Sequence, residues 1–96
     1  MTVLFVNQCG ADSSFSVQYD GGQSGRTIVL MEGQSASLDI SNLAINVGTS
    51  CWARAYVQGG PNHDSGDNFA FQTGKANVTY TLTGSVDFPS FSCSGC

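Results

Sequence analysis

Period-two alternation runs along most of this chain, and it restricts the fold more than any other feature. Phe15, Val17 and Tyr19 alternate with Ser16 and Gln18, and Ala36, Leu38 and Ile40 alternate with Ser37 and Asp39. Successive side chains of an extended strand point to opposite faces, so each such segment has one apolar and one polar side. Residues 2–7, 51–58, 68–72 and 76–82 are rich in β-branched and aromatic types, which favour strands. The near-continuous apolar run over residues 26–31 reads as a further strand, and residues 43–47 and 85–91 as shorter ones. The segments recur roughly every 8–12 residues and are separated by Gly, Asn, Asp and Ser. No window as long as a helix carries a helical period. The expected fold is all-β: a single-domain antiparallel β-sandwich of seven to nine short strands over residues 1–96, with no linker and no internal repeat.

Composition narrows the partners. Charged residues are 10% of the 96, and the net charge is −4; about 25% charged is usual. The cations are Arg26, Arg54 and Lys75 alone. That excludes nucleic-acid binding driven by phosphate neutralisation, which needs clustered Lys and Arg. It also argues against attraction to anionic membranes. No segment approaches the roughly 20 apolar residues of a membrane-spanning helix, so no membrane insertion is expected. Ser, Thr, Asn and Gln make up 32 of the 96 residues. The surface is therefore polar through neutral hydrogen-bonding groups, which suits a polyhydroxylated partner. With few charges guarding strand edges, edge pairing into a homodimer is expected.

Cys9, Cys51, Cys93 and Cys96 make an even set in a short chain, which points to two structural disulfides and an oxidising, extracellular setting. Spacing allows three pairings. The expectation preferred here ties the tail to the body, joining Cys93 and Cys96 to Cys9 and Cys51. The 93–96 C-x-x-C has no following helix for a redox role and no second ligand pair for zinc. The start of the chain has no basic segment followed by a long apolar stretch, so release without a signal peptide, or a mature form, is expected. Asn77-Val78-Thr79 matches a glycosylation sequon, but within an expected strand.

Catalysis finds little support. His63 is the only histidine, and no serine stands in a G-x-S-x-G elbow. The seven acids are mostly in turns, where capping their own backbone is the plain role. No enzymatic activity, cofactor or metal is expected. Two features point to binding instead. The segment 59–68 gathers Asn62, His63, Asp64, Asp67 and Asn68, whose amides, carboxylates and imidazole can donate to and accept from sugar hydroxyls. The same residues are good turn formers, and Asp64, Asp67 and Asn68 could also donate oxygens to calcium, although the EF-hand pattern is missing. On the strand over residues 51–58, alternation puts Trp52, Arg54 and Tyr56 on one face and Ala53, Ala55 and Val57 on the other. Trp and Tyr rings stack on the apolar face of a pyranose, and Trp, Tyr and Arg are favoured interface anchors. Core burial of Trp52 with Arg54 snorkelling is the alternative. The stripe runs toward the polar loop, so the two could form one sugar site.

Val6-Asn7-Gln8-Cys9 and Cys51-Trp52-Ala53-Arg54 resemble two short segments of thaumatin-like proteins, an opening strand ending in N-x-C and a W-A-R strand. The chain is far shorter than that family and has fewer cysteines, so its acidic cleft does not carry over. In size, acidity, four cysteines and all-β pattern the chain resembles the small cysteine-containing lectins of mushroom fruiting bodies. That resemblance implies a dimeric, non-enzymatic, β-rich lectin binding glycans through terminal α-galactose. The alternative expectation is a secreted defence or protein-binding module, an inhibitor or membrane-active toxin, with no dependence on sugar.

Overall fold

A computed structural model describes all residues, Met1–Cys96. The nine strands, in chain order, are β1 (Thr2–Asn7), β2 (Ser13–Tyr19), β3 (Gly22–Gln23), β4 (Ser35–Asp39), β5 (Ser50–Val57), β6 (Asn62–Asp64), β7 (Phe69–Ala70), β8 (Asn77–Gly84) and β9 (Pro89–Ser94). They form two sheets, β4-β1-β8-β9 and β3-β2-β5-β6, with β7 also paired to β5. No helix is present, hence none able to cross a membrane. The all-β sandwich expectation holds, with one change: β1 and β8 pair in parallel, Thr2 opposite Asn77 through Asn7 opposite Leu82. The chain crosses between sheets after β1, after the segment following β3, after β4 and again before β8. Strands brought together by such crossings, unlike hairpin neighbours, need not run antiparallel.

Alternation predicts the layers well. Val3 and Phe5 of β1, Phe15 and Val17 of β2, Ala53, Ala55 and Val57 of β5, and Val78, Tyr80 and Leu82 of β8 all turn inward and are buried. An aromatic cluster joins the layers. Phe5 stacks on Phe15 at 5.1 Å and on Tyr80 at 6.1 Å, and Phe91 meets Tyr80 edge-on at 5.7 Å. Each fully buried large side chain stabilises the fold by roughly 1.5–3 kcal/mol. The small Ala53 and Ala55 leave interlayer room for these rings. On the outer face of the first sheet, Thr79, Thr81 and Thr83 stand opposite Ser94, Ser92 and Ser90. Here the neutral hydroxyls of the composition become a surface.

The expected strand over residues 26–31 does not form, apart from one bridge between Leu30 and Ser13. Instead, this segment borders β2 with a period of three. Ser24, Thr27 and Leu30 donate their backbone N–H groups to the carbonyls of Val17, Phe15 and Ser13. Those β2 acceptors are two residues apart, so the bordering segment advances three residues for every two of β2. The return bonds from Val17 and Phe15 go to hydroxyls: Val17 N–H donates to Ser24 Oγ (2.8 Å) and Phe15 N–H to Thr27 Oγ1 (3.1 Å). Each hydroxyl then donates to the next carbonyl along, Gly25 or Ile28. Side-chain hydroxyls thus stand in for strand carbonyls. The price of this geometry is exposure: Ile28, Val29 and Met31 face solvent, and only Leu30 is buried.

Residues 43–47 also form no strand; they lie in the turn-rich connection between β4 and β5. Asn7 organises the first crossing. It is fully buried, its Nδ2 donates to the carbonyls of Ala11 (3.0 Å) and Leu30 (2.8 Å), and its Oδ1 accepts from Cys9 N–H. Gly84 turns the chain from β8 toward β9 at φ 94°. A Cβ there would collide with the Phe88 carbonyl.

The cysteine pairing departs from expectation. Cys93 bonds Cys96, while Cys9 and Cys51 are free and buried in the core. One disulfide therefore closes a short loop at the chain's end, and neither Cys9 nor Cys51 ties the tail to the body. The reason is position: Cys93 lies on β9, an edge strand, and Cys96 follows two residues beyond that strand's end. Burial pushes the Cys51 thiol above its ordinary pKa, keeping it protonated,.

Candidate functional site

The outer face of the β3-β2-β5-β6 sheet collects the strongest candidates. Trp52, Arg54 and Tyr56 lie on this face, while their neighbours on β5 are buried. Gln18, Ser16 and Ser14 of β2 stand opposite Trp52, Arg54 and Tyr56 on one side. On the other, β6 puts Asp64 opposite Arg54 and Asn62 opposite Tyr56. The expected loop over residues 62–68 is thus half strand: residues 62–64 form β6, hydrogen-bonded to β5. This pairing carries Asn62 and Asp64 onto the stripe's face.

Asp64 is the hub. Arg54 Nε donates to Oδ1 (2.6 Å) and Arg54 Nη2 to Oδ2 (3.1 Å), a two-pronged guanidinium–carboxylate pair,. Trp52 Nε1 donates to Oδ2 at 3.2 Å. The carboxylate therefore has three donors and still faces solvent. The Arg54 hydrogen bonds hold its pKa below the ordinary 3.8, against a smaller opposing effect of burial,. Asp64 thus remains an ionised acceptor across the physiological range. The indole N–H bond fixes one edge of the Trp52 ring.

Beneath Tyr56 lies a polar floor. Tyr56 Oη is 3.0 Å from Ser16 Oγ. Gln18 Nε2 donates to Ser16 Oγ (2.7 Å) and to Gln23 Oε1 (3.0 Å). Ser16 and Gln18 are buried although they belong to the outer face. Their hydrogen bonds make that burial tolerable. Arg26, from the segment bordering β2, places its guanidinium carbon 3.5 Å from the Tyr56 ring centre, within cation–π range. Burial alone would raise the Tyr56 pKa, but the Ser16 hydrogen bond and the charges of Arg26 and Arg54 together lower it.

Of the remaining expected residues, His63 leaves this face, Asp67 is held through its backbone, and Asn68 reaches the edge of the face through Ser50. His63 stands opposite Ala55 and points inward, where it stacks on Phe91 with ring centres 5.8 Å apart. Strand alternation requires this: once Asn62 and Asp64 face out, His63 faces in. Asp67 contributes its backbone carbonyl, which accepts from Tyr80 Oη (2.7 Å) and Ser65 Oγ (2.9 Å). Asn68 Nδ2 donates to Ser50 Oγ, on the same face of β5 as Trp52 and at that strand's start. Asp64 is engaged by Arg54 and Trp52, and no group of three or more His, Cys, Asp or Glu side chains is placed to hold a metal ion.

Sequence reasoning missed Ser14, Ser16, Gln18, Gln23 and Arg26. The first three were visible as the polar half of the β2 alternation. Arg26 had no such signal, since its place over Tyr56 depends on the three-residue period of its segment. The sequence matches no family model and no curated protein.

Proposed function

We propose that this chain is a non-enzymatic carbohydrate-binding lectin, and that the Trp52–Arg54–Tyr56–Asn62–Asp64 face holds the sugar. The observation that carries this reading is the Asp64 carboxylate, anchored by Arg54 and Trp52 yet open to solvent beside an indole ring. A pyranose needs an apolar surface for its C–H face and fixed acceptors for its hydroxyls. Trp52 supplies the first. Asp64 supplies the acceptor, and the Asn62 amide both donates and accepts. A galactose-type sugar suits the pair, because its axial 4-hydroxyl leaves one ring face rich in C–H groups. The Cys93–Cys96 disulfide is compatible with an oxidising, extracellular environment.

Single sites of this shallow form bind weakly, and pairing of two copies would raise avidity. Strand β4 is a free edge with no Lys, Arg or Pro. Ser35, Ser37 and Asp39 turn their backbone groups away from β1, as the alternation of an antiparallel pair requires. A homodimer joined along β4 is part of this proposal.

The test is a glycan array with the oxidised protein, repeated with Asp64→Asn. Selective binding of galactose-terminated glycans that falls in the variant supports the reading, and no glycan above background overturns it. One observation favours a second reading. Ile28, Val29 and Met31 are 76%, 51% and 56% exposed and lie within four residues of one another. Such an apolar run suits a protein-binding or defence module. That reading predicts an activity that free galactose does not inhibit.

A further inference from the structure

Three side chains in this acidic protein carry positive charge, and the fold brings two of them, Arg26 and Arg54, to the same tyrosine. They are not equivalent. Arg54 is neutralised by Asp64, the sole ion pair in the molecule. Arg26 has no carboxylate partner, and its guanidinium rests on the Tyr56 ring. The backbone on either side of it is tied to β2, through Ser24 and through Thr27. An arginine held in this way presents N–H donors from a fixed place. Its geometry matches a planar carboxylate with two parallel bonds.

The surroundings strengthen the point. The floor hydroxyls and amides are already bonded to one another, so they do not call for a charged partner. Asp64 and Arg54 cancel, leaving Arg26 as the one uncompensated charge on the face. A ligand that is both polyhydroxylated and anionic would use every part: its C–H face on Trp52, a hydroxyl on Asp64 or Asn62, and its acid on Arg26. The sparse cations of the sequence point to a neutral ligand, and the convergence of two of the three on one face revises that.

We propose that the saccharide bound here carries a carboxylate, as a uronic or sialic acid does, and that Arg26 receives it. This rests on the carbohydrate reading above and names the ligand class within it. The test titrates the full oxidised chain with oligogalacturonate, its methyl ester and the matching galactose oligomer, at low and at moderate salt. The acid form should bind at least ten-fold tighter than the other two, and added salt should narrow the gap. Arg26→Ala should bring the acid form down to the level of the ester, and Arg26→Lys should recover only part of the loss. Sialylated and sulfated galactosides form separate arms. Preference for the sulfated over every carboxylated sugar overturns the carboxylate assignment. Equal binding of acid, ester and neutral oligomers overturns the role of Arg26 and leaves the lectin reading intact. Failure to bind any saccharide overturns both. The acid-versus-ester comparison uses only the unaltered protein, so it decides the matter even if a variant misfolds.

Discussion

Replacing the two hydroxyls that complete the β2 border, by Ser24→Ala and Thr27→Val, should both destabilise the fold and loosen the proposed binding face. Both substitutions keep side-chain volume nearly constant, so they remove hydrogen bonds with little change in packing. Val17 N–H loses its 2.8 Å acceptor at a buried position. A buried donor left unpaired costs about 1–3 kcal/mol. Phe15 N–H loses its 3.1 Å acceptor where burial is only partial; water can replace part of that bond, so about 1 kcal/mol is expected. The double variant should therefore lose about 2–4 kcal/mol, a large share of the 5–15 kcal/mol typical of a domain. Urea unfolding followed by Trp52 fluorescence measures this. Arg26 lies between the two substituted positions, so its place over Tyr56 should loosen as well. Under the carboxylate reading, the preference for acidic sugars should fall in the double variant. A loss below about 0.5 kcal/mol for the pair would refute the reasoning, since it would mean that water replaces both hydroxyls.

Four further outcomes are expected. Asp64→Asn should change stability by no more than about 1 kcal/mol, because the Arg54 and Asp64 side chains are 31% and 41% exposed and exposed pairs contribute little. On the lectin reading, galactose affinity should nevertheless fall ten-fold or more by calorimetry. Because Asp64 has a lowered folded-state pKa, whatever stability the pair adds is present above 3.8 and fades as pH falls through the lower folded value, closing the gap to the variant,. Thiol titration should find no rapidly reacting cysteine in the native oxidised protein and two on unfolding, Cys9 and Cys51; none on unfolding would mean that both are disulfide-bonded. Reducing the Cys93–Cys96 bond should cost roughly 2 kcal/mol or less, since the loop it closes is short. Tyr80 is pushed up to about 12, chiefly by burial. One tyrosine should thus lag the others in an absorbance titration at 295 nm. Its contribution to stability is complete below pH 10 and is lost as pH rises through 12.

Much of the fold was legible because burial in a half-exposed strand writes itself as alternation. Phe15 and Val17, Ala53 and Ala55, and the Trp52–Arg54–Tyr56 stripe all lie on the faces that their spacing assigns. The failures have identifiable causes. Residues 26–31 have strand composition, yet Ser24 and Thr27 offer hydroxyls as acceptors and shift the local period from two to three. Asp64 and His63 are neighbours in sequence, and for that reason, within a strand, they face opposite ways,. The disulfide pairing was open because spacing says nothing of which cysteines the fold brings close.

Alternation and composition alone establish an all-β chain, the inward faces of β1, β2, β5 and β8, and a surface that is polar without being charged. These are local properties: they follow from the two-residue repeat of the extended backbone and from the cost of leaving apolar side chains in water. Three-dimensional packing set the parallel pairing of β1 with β8, the burial of Cys9 and Cys51, and the membership of the Trp52–Arg54–Tyr56 face. The Asp64–Arg54–Trp52 cluster depends on the register of β6 against β5. The seat of Arg26 on Tyr56 joins residues 30 positions apart through hydroxyls that substitute for carbonyls. Such contacts arise from strand register and chain crossing, which couple distant residues and leave no periodic trace in the sequence.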